Sequence, residues 1–154
     1  MVSSTWRAAL IGGGVMAVAL IGGAGALAKT LDPRPAMEHA SAVVGDPWLA
    51  AGLVLLAVAA EAALAAVAVL HLVDRIVVLF AGASFLALMA VWLAYGTFVA
   101  GVNGPCGCMP GIRQVNAVQG LVLNLLVAAE LLVAGLAERG LRGTSVSPPG
   151  GLSA

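Results

Sequence analysis

WLAAGLVLLAVAAEAALAAVAVLHL occupies residues 48–72 and is apolar except for Glu61 in its middle and His71 near its end. A helix needs about 20 mostly apolar residues to cross a hydrocarbon core of roughly 30 Å, and this run is long enough. Asp46 and Pro47 precede it, and aspartate at the cap with proline in the first turn is typical of a helix start. The stretch therefore predicts a transmembrane helix. Its many alanines predict a central position in contact with several neighbours.

Three other apolar runs have a comparable length, which places the four predicted spans at residues 8–28, 48–72, 76–102 and 114–137. Hydrophobic residues make up 62% of the chain and charged residues only 9%, whereas about a quarter of the residues in soluble domains are charged. The predicted fold class is an all-α integral membrane protein, a four-transmembrane-helix bundle over residues 1–142. Residues 143–154 are rich in serine, proline and glycine, and we expect a disordered tail there.

The charge balance limits the partners that the protein could bind. Basic and acidic residues number seven each, which removes the electrostatic case for nucleic acid, because nucleic-acid binding usually needs a basic face. The lipid bilayer is the expected surrounding.

The first span and the segment after it carry weaker signals. Arg7, the apolar run and Ala26-Leu27-Ala28 together mimic the three parts of a cleaved signal peptide, but the run is long for a signal core, so we expect the span to be retained. Its glycines would let a neighbouring helix approach closely in lipid. Residues 31–46, which contain Pro33 and Pro35, are expected to form a polar, turn-rich loop.

Four spans place both termini and the short polar break at residues 71–75 on one side of the membrane, and the other two connections on the opposite side. Basic residues mark the cytoplasmic side. They favour the first side by four to three: Arg7, Arg75, Arg139 and Arg142 against Lys29, Arg34 and Arg113. We therefore expect a multi-pass protein of the cell membrane, with the connection after the third span facing away from the cytoplasm.

That connection contains NGPCGCMPG, residues 103–111, with both cysteines of the chain. A disulfide between Cys106 and Cys108 would close a very small ring, and strained disulfides are the labile or catalytic ones. Gly107 can adopt the backbone angles that such a ring demands. A structural disulfide gains most by closing a long loop. The cysteines are therefore interpreted as a redox pair that exchanges electrons with another protein, in preference to a static staple or two idle thiols.

A metal site is an alternative interpretation of the same connection. Met37 and His39 are expected on the same side as Cys106, Cys108 and Met109, and thiolate and thioether ligands suit Cu(I). A structural zinc site would want four ligands, usually Cys and His, and that side offers too few. The main prediction is therefore no metal and no other cofactor. Copper handling is the alternative, and it requires the two loops to meet.

Polar residues inside the predicted spans need an explanation. A charged carboxyl group within a membrane is costly, so such groups usually face the bundle interior and mark function. Glu61 is a candidate proton relay for thiol redox chemistry, and the structural alternative is a neutral carboxyl that hydrogen-bonds a neighbouring helix. Glu130 is interpreted as structural, within reach of water or an arginine near its helix end. Three amides are interpreted as contacts that hold helices together: Asn116, Gln119 and Asn124.

These features resemble the methylamine utilisation protein MauE family, within the wider DoxX-like group of redox-associated membrane proteins. Lys29 and Asp32 follow the first span, as a lysine and an acidic residue do in the family. Glu61 matches the family's glutamate within the second span, and residues 106–108 match its Cys-Gly-Cys. Met109 begins a departure, because the family typically has Phe-Gly there. The matching positions extend over nearly the whole chain up to the tail.

The resemblance implies a helper role in thiol–disulfide maturation. MauE-like proteins are associated with maturation of the disulfide-rich small subunit of methylamine dehydrogenase, alongside a thioredoxin-like partner. By analogy, Cys106 and Cys108 would exchange disulfides with an extracytoplasmic thioredoxin-like protein or client. Glu61 would assist proton movement, and Lys29 would stabilise a thiolate if the loops meet.

We expect an accessory or maturation factor rather than a stand-alone enzyme. A quinone-coupled thiol oxidase is the enzymatic alternative. Oxidases of that sort relay electrons through a second cysteine pair, which this chain lacks.

Overall fold

The computed structural model describes residues 4–102 and 116–143, and within those ranges it contains helices and no strands. The helices, in chain order, are α1 (Ser4–Leu31), α2 (Arg34–Val44), α3 (Pro47–Leu70), α4 (Arg75–Phe98) and α5 (Ala117–Gly143). All except α2 are long and apolar enough to cross a membrane. The predicted all-α bundle with four spans is therefore confirmed. The predicted tail lies outside the described residues, apart from Gly143 at the end of α5.

Two helices begin at aspartate caps. Asp46 Oδ1 accepts hydrogen bonds from the backbone N–H groups of Trp48 at 2.7 Å and Leu49 at 3.0 Å, so α3 starts where the sequence predicts. Asp74 Oδ1 accepts from the N–H group of Ile76 at 3.1 Å and caps α4 in the same way. The short break between α3 and α4 therefore contains the residue that caps α4.

Polar side chains also set the beginning of α5. Asn116 Oδ1 accepts from the Gln119 N–H group at 2.9 Å, and Gln119 Oε1 accepts from the Asn116 N–H group at 3.2 Å. Each amide thus satisfies a backbone donor of the first turn. These two residues cap one helix, whereas the sequence analysis assigned them to contacts between helices.

The segment predicted as a turn-rich loop forms α2 instead. Pro35 lies in its first turn, where a missing N–H group is not needed and the fixed φ of proline suits a helix. Gly45 ends the helix with a left-handed φ of 73°, and its N–H group donates a hydrogen bond to the backbone oxygen of Ser41 at 2.8 Å. The loop prediction is wrong because Pro33 and Pro35 stand at a helix start, where they interrupt no hydrogen bonds.

The two most central helices of the bundle are α1 and α4. Each packs against the three other spans, whereas α3 packs mainly against α1 and α2 and makes a smaller contact with α4. Only 17% of the apolar window of α3 is buried, against 39% for α1 and for α4. The predicted central position of the alanine-rich span is therefore wrong. Small side chains let α3 lie close to α1 on one face, while most of its surface remains open to lipid.

The bundle has two ends, which we name for what they contain. The turn end is formed by residues 71–74, between α3 and α4. The α2 end contains α2, the C-terminus of α1, and the described residues Val102 and Asn116, which flank residues 103–115. The chain that carries the cysteines therefore leaves and re-enters the bundle at the α2 end.

Candidate functional site

Lys29 and Glu61 form a buried ion pair between α1 and α3. Lys29 Nζ donates hydrogen bonds to both carboxylate oxygens of Glu61, to Oε1 at 2.7 Å and to Oε2 at 2.9 Å. Lys29 is 8% exposed and Glu61 is 7% exposed. The two residues stand 32 positions apart in the chain, and the sequence analysis gave them separate roles. The structure brings them together.

Two glycines of α1 allow this contact. A Cβ atom at Gly25 would lie 3.0–3.2 Å from the carboxylate atoms of Glu61, and one at Gly22 would lie 2.8 Å from the Glu61 backbone oxygen. Side chains tilt toward the N-terminus of their helix, so Lys29 extends back over Gly25, one turn earlier. The predicted close approach of a neighbouring helix to the glycines of the first span is confirmed at these positions.

Glu61 lies away from the ends of its span, and Lys29, in the last turn of α1, extends back toward it. Glu61 follows Pro47 by 14 residues, which is about 21 Å along α3 at a rise of 1.5 Å per residue. Charged groups at such depth pair with one another or face a polar cavity. Here the ammonium and the carboxylate supply opposite charges and two hydrogen bonds at once. The pair can hold a proton on either partner without a change in its net charge.

A cavity of about 60 Å³ lies beside the ion pair, between α1, α3, α4 and α5. Lys29, Glu61 and Asn124 supply its polar wall, and Phe85 and Met89 belong to its apolar lining. A cavity of this volume, with three polar side chains in a mostly apolar wall, is large enough for water molecules. From sequence, Asn124 is predicted to hold helices together. Its place beside the pair was not visible in the sequence, because α5 and α1 are far apart in the chain.

His39 is a second buried polar residue, and it lies at the α2 end. It is 4% exposed, and neither ring nitrogen has a hydrogen-bond partner among the residues that the structure describes. The ring lies against Gly96 of α4, where a Cβ atom would stand 3.1 Å from Nε2. The hydroxyl of Thr97 is likewise buried without a partner in those ranges. Burial lowers the pKa of His39, so the imidazole is neutral at pH 7.

Two residues of the alternative metal site, Met37 and His39, lie on α2. Met37 and His39 are two residues apart on α2, and such residues face different sides of a helix. No group of three or more His, Cys, Asp or Glu side chains within residues 4–102 and 116–143 could hold a metal ion. Cys106, Cys108 and Met109 lie outside the described residues. The redox pair and the copper alternative therefore stay predictions.

Glu130 lies in surroundings that the sequence analysis did not foresee. It stands thirteen residues from each end of α5, and its side chain is exposed on the outside of the bundle. The prediction that it lies near a helix end is wrong, because α5 continues to Gly143, six residues beyond the predicted limit.

Comparisons with protein-family models, with curated proteins and with solved structures found no match for the chain. The resemblance to the MauE family therefore depends on Lys29, Glu61 and the cysteine motif. Of these, the structure describes Lys29 and Glu61, and it places them in contact.

Proposed function

We propose that this protein is a MauE-like membrane factor for thiol–disulfide maturation. Its cysteines Cys106 and Cys108 exchange a disulfide with an extracytoplasmic thioredoxin-like protein or client. The observation that carries the proposal is the Lys29–Glu61 contact. The resemblance selected these two residues from sequence alone, and their 2.7 Å ion pair supports a shared role for them.

The exchange is a two-electron reaction between a dithiol and a disulfide. A thiolate of the partner attacks one sulfur of the Cys106–Cys108 disulfide and forms a mixed disulfide, and the partner's second thiolate then releases this protein's pair as a dithiol. The partner's pair is oxidised, this protein's pair is reduced, and the two protons move from one pair of sulfurs to the other. The exchange is reversible, so a single remaining thiolate of this protein can also attack a disulfide of the partner. No further oxidant is consumed in this step.

Proton handling is the proposed role of the ion pair. Each thiolate attack requires one proton to leave a sulfur and another to arrive. Lys29 and Glu61 form a donor–acceptor pair inside the bundle, and the cavity beside them extends toward Asn124. Because Lys29 Nζ already contacts both oxygens of Glu61, we assign any effect of Lys29 on a thiol to the pair and not to the lysine alone.

The burial of Lys29 also supports an outward-facing cysteine connection. Its ammonium lies inside the bundle, so it no longer counts as a basic residue of the water-exposed loop. The count of loop cations then becomes four on the side of the termini against two, Arg34 and Arg113, on the side of the cysteines. Since basic residues mark the cytoplasmic side, the wider margin favours the proposed orientation.

Thiol trapping in intact cells tests the proposal. A membrane-impermeant maleimide should label the cysteines only after mild external reduction, because an outward-facing labile disulfide is closed beforehand and opened easily. Full labelling without reductant, or labelling only after the membrane is broken, would contradict the proposal.

Single variants provide the matched control. In Cys106→Ser or Cys108→Ser, one remaining thiol should retain a partner as a mixed disulfide, seen as a larger species that a reductant removes. The double variant should show none. If neither single variant captures a partner, the cysteines do not exchange disulfides under those conditions and the proposal fails.

A further inference from the structure

Glu130 is a carboxyl group on the outer surface of a transmembrane helix. It lies at the centre of α5, and its side chain is exposed. No hydrogen bond or ion pair to Glu130 is formed within the described ranges, in contrast to Glu61 on α3. A lipid-facing carboxyl without a partner is an unfavourable arrangement, so something outside this chain is expected to contact it.

The depth of Glu130 follows from the residues at the two ends of α5. At the turn end, Glu138 lines the same open surface pocket as His71, Asp74 and Arg75. Because these side chains are charged or polar, this pocket lies at the boundary between the hydrocarbon core and water. Glu130 precedes Glu138 by eight residues and follows Asn116 by fourteen. At 1.5 Å per residue these separations are about 12 Å and about 21 Å, so Glu130 lies well inside the hydrocarbon core.

The direction of the Glu130 side chain also places its carboxyl inside the hydrocarbon core. In a helix the Cα–Cβ bond tilts toward the N-terminus. The N-terminus of α5 is at the α2 end, which is the more distant boundary for Glu130. Its side chain therefore tilts away from the nearer water, and it cannot extend to the turn end as a lysine or arginine near a helix end can.

We propose that the Glu130 face of α5 is the contact surface between two copies of this protein in the membrane. A protonated carboxyl has one O–H donor and further acceptor capacity, so two carboxyls are complementary to each other. A two-fold axis along the membrane normal brings the same residue of both copies to the same depth. At its depth in the membrane, Glu130 thus finds its partner in its own symmetry mate.

The neighbours of Glu130 suit such a contact. Leu126 and Val133 lie one turn to either side on the same face, and they are 63% and 56% exposed. Ala129 is also exposed, and a small residue beside the carboxyl lets a second helix approach closely. In lipid, apolar surface alone does not drive helices together, whereas a hydrogen bond between polar side chains does.

Energy transfer between labelled copies in lipid vesicles tests this contact. The full chain carrying donor or acceptor dyes at its C-terminus is reconstituted over a range of protein-to-lipid ratios, and the dissociation constant is obtained from the dilution curve. Glu130→Leu should weaken association by roughly five- to thirty-fold, because it removes a hydrogen bond between helices. Glu130→Gln should stay near the wild-type value, since an amide can still donate and accept.

Leu125→Ala is the control, because Leu125 is 51% exposed on a different face of α5. Association of this variant should be unchanged. A wild-type protein that stays monomeric at every lipid ratio would overturn the proposal, as would a dimer equally strong in Glu130→Leu. A different protein that co-purifies in proportion to Glu130 would also overturn it, because the face would then belong to a foreign partner with a donor group.

Discussion

Two carboxyl groups lie deep in the spans of this protein, and they have opposite surroundings. Glu61 of α3 is 7% exposed and accepts two hydrogen bonds from Lys29. Glu130 of α5 is exposed on the outer surface, and no partner within the described residues contacts it. The first carboxyl is satisfied by its own chain. The second requires a contact from outside the chain.

The difference shows that helix rotation decides the role of a polar residue in a membrane. Both glutamates follow two alanines in a long apolar run, so their local sequences are alike. In water, an amphipathic pattern would tell which face is buried. In lipid, the buried face and the lipid-facing side are both apolar, and the pattern carries little of that information.

The largest effect is expected from breaking the ion pair. Lys29→Met leaves the Glu61 carboxyl buried without its partner, and it should lower the free energy of unfolding by roughly 3–5 kcal/mol. Glu61→Leu should act similarly through the orphaned ammonium. Chemical denaturation in detergent micelles, followed by circular dichroism, measures both.

The double variant Lys29→Met with Glu61→Leu sharpens this test. It replaces both charges by apolar groups, so it should be less destabilising than either single change. Destabilisations that simply add would show that the two side chains do not act as a pair.

An intermediate effect is expected at Gly25. Gly25→Ala places a Cβ atom 3.0–3.2 Å from the Glu61 carboxylate, and such overpacking should lower the free energy of unfolding by about 1–3 kcal/mol. Gly13→Ala is the matched control in the same helix, because a Cβ atom there has nothing within 4 Å. An equal response of both variants would argue against a close fit between α1 and the carboxylate.

The smallest effect on the isolated fold is expected at Glu130. At dilutions where the protein is monomeric, Glu130→Leu should change the free energy of unfolding by no more than about 0.5 kcal/mol, because the side chain is exposed and forms no hydrogen bond or ion pair with the described residues. The same measurement on Glu61→Leu gives the contrast. A decrease in the free energy of unfolding as large for Glu130→Leu as for Glu61→Leu would mean that both carboxyls are stabilised by contacts within the bundle. It would contradict the difference between the two sites.

Some local features were readable from sequence because their causes are local. Asp46 caps α3 through the two N–H groups that follow it, and the short polar break at residues 71–75 leaves room only for a tight turn. The same local reasoning misjudged Pro33 and Pro35. Proline both starts and interrupts helices, and only the position of the helix distinguishes the two cases.

By itself, the sequence determined that four apolar segments cross a membrane as helices, because a backbone in lipid must satisfy its hydrogen bonds internally and a run of about 20 apolar residues is enough to do so. Only the tertiary structure decided that α1 and α4 are the central helices, that Lys29 meets Glu61 and that Glu130 faces outward. These outcomes depend on how the helices rotate and pack. Packing in lipid is governed by the close fit of small side chains, such as Gly22 and Gly25, and by polar contacts between residues that are distant in the chain.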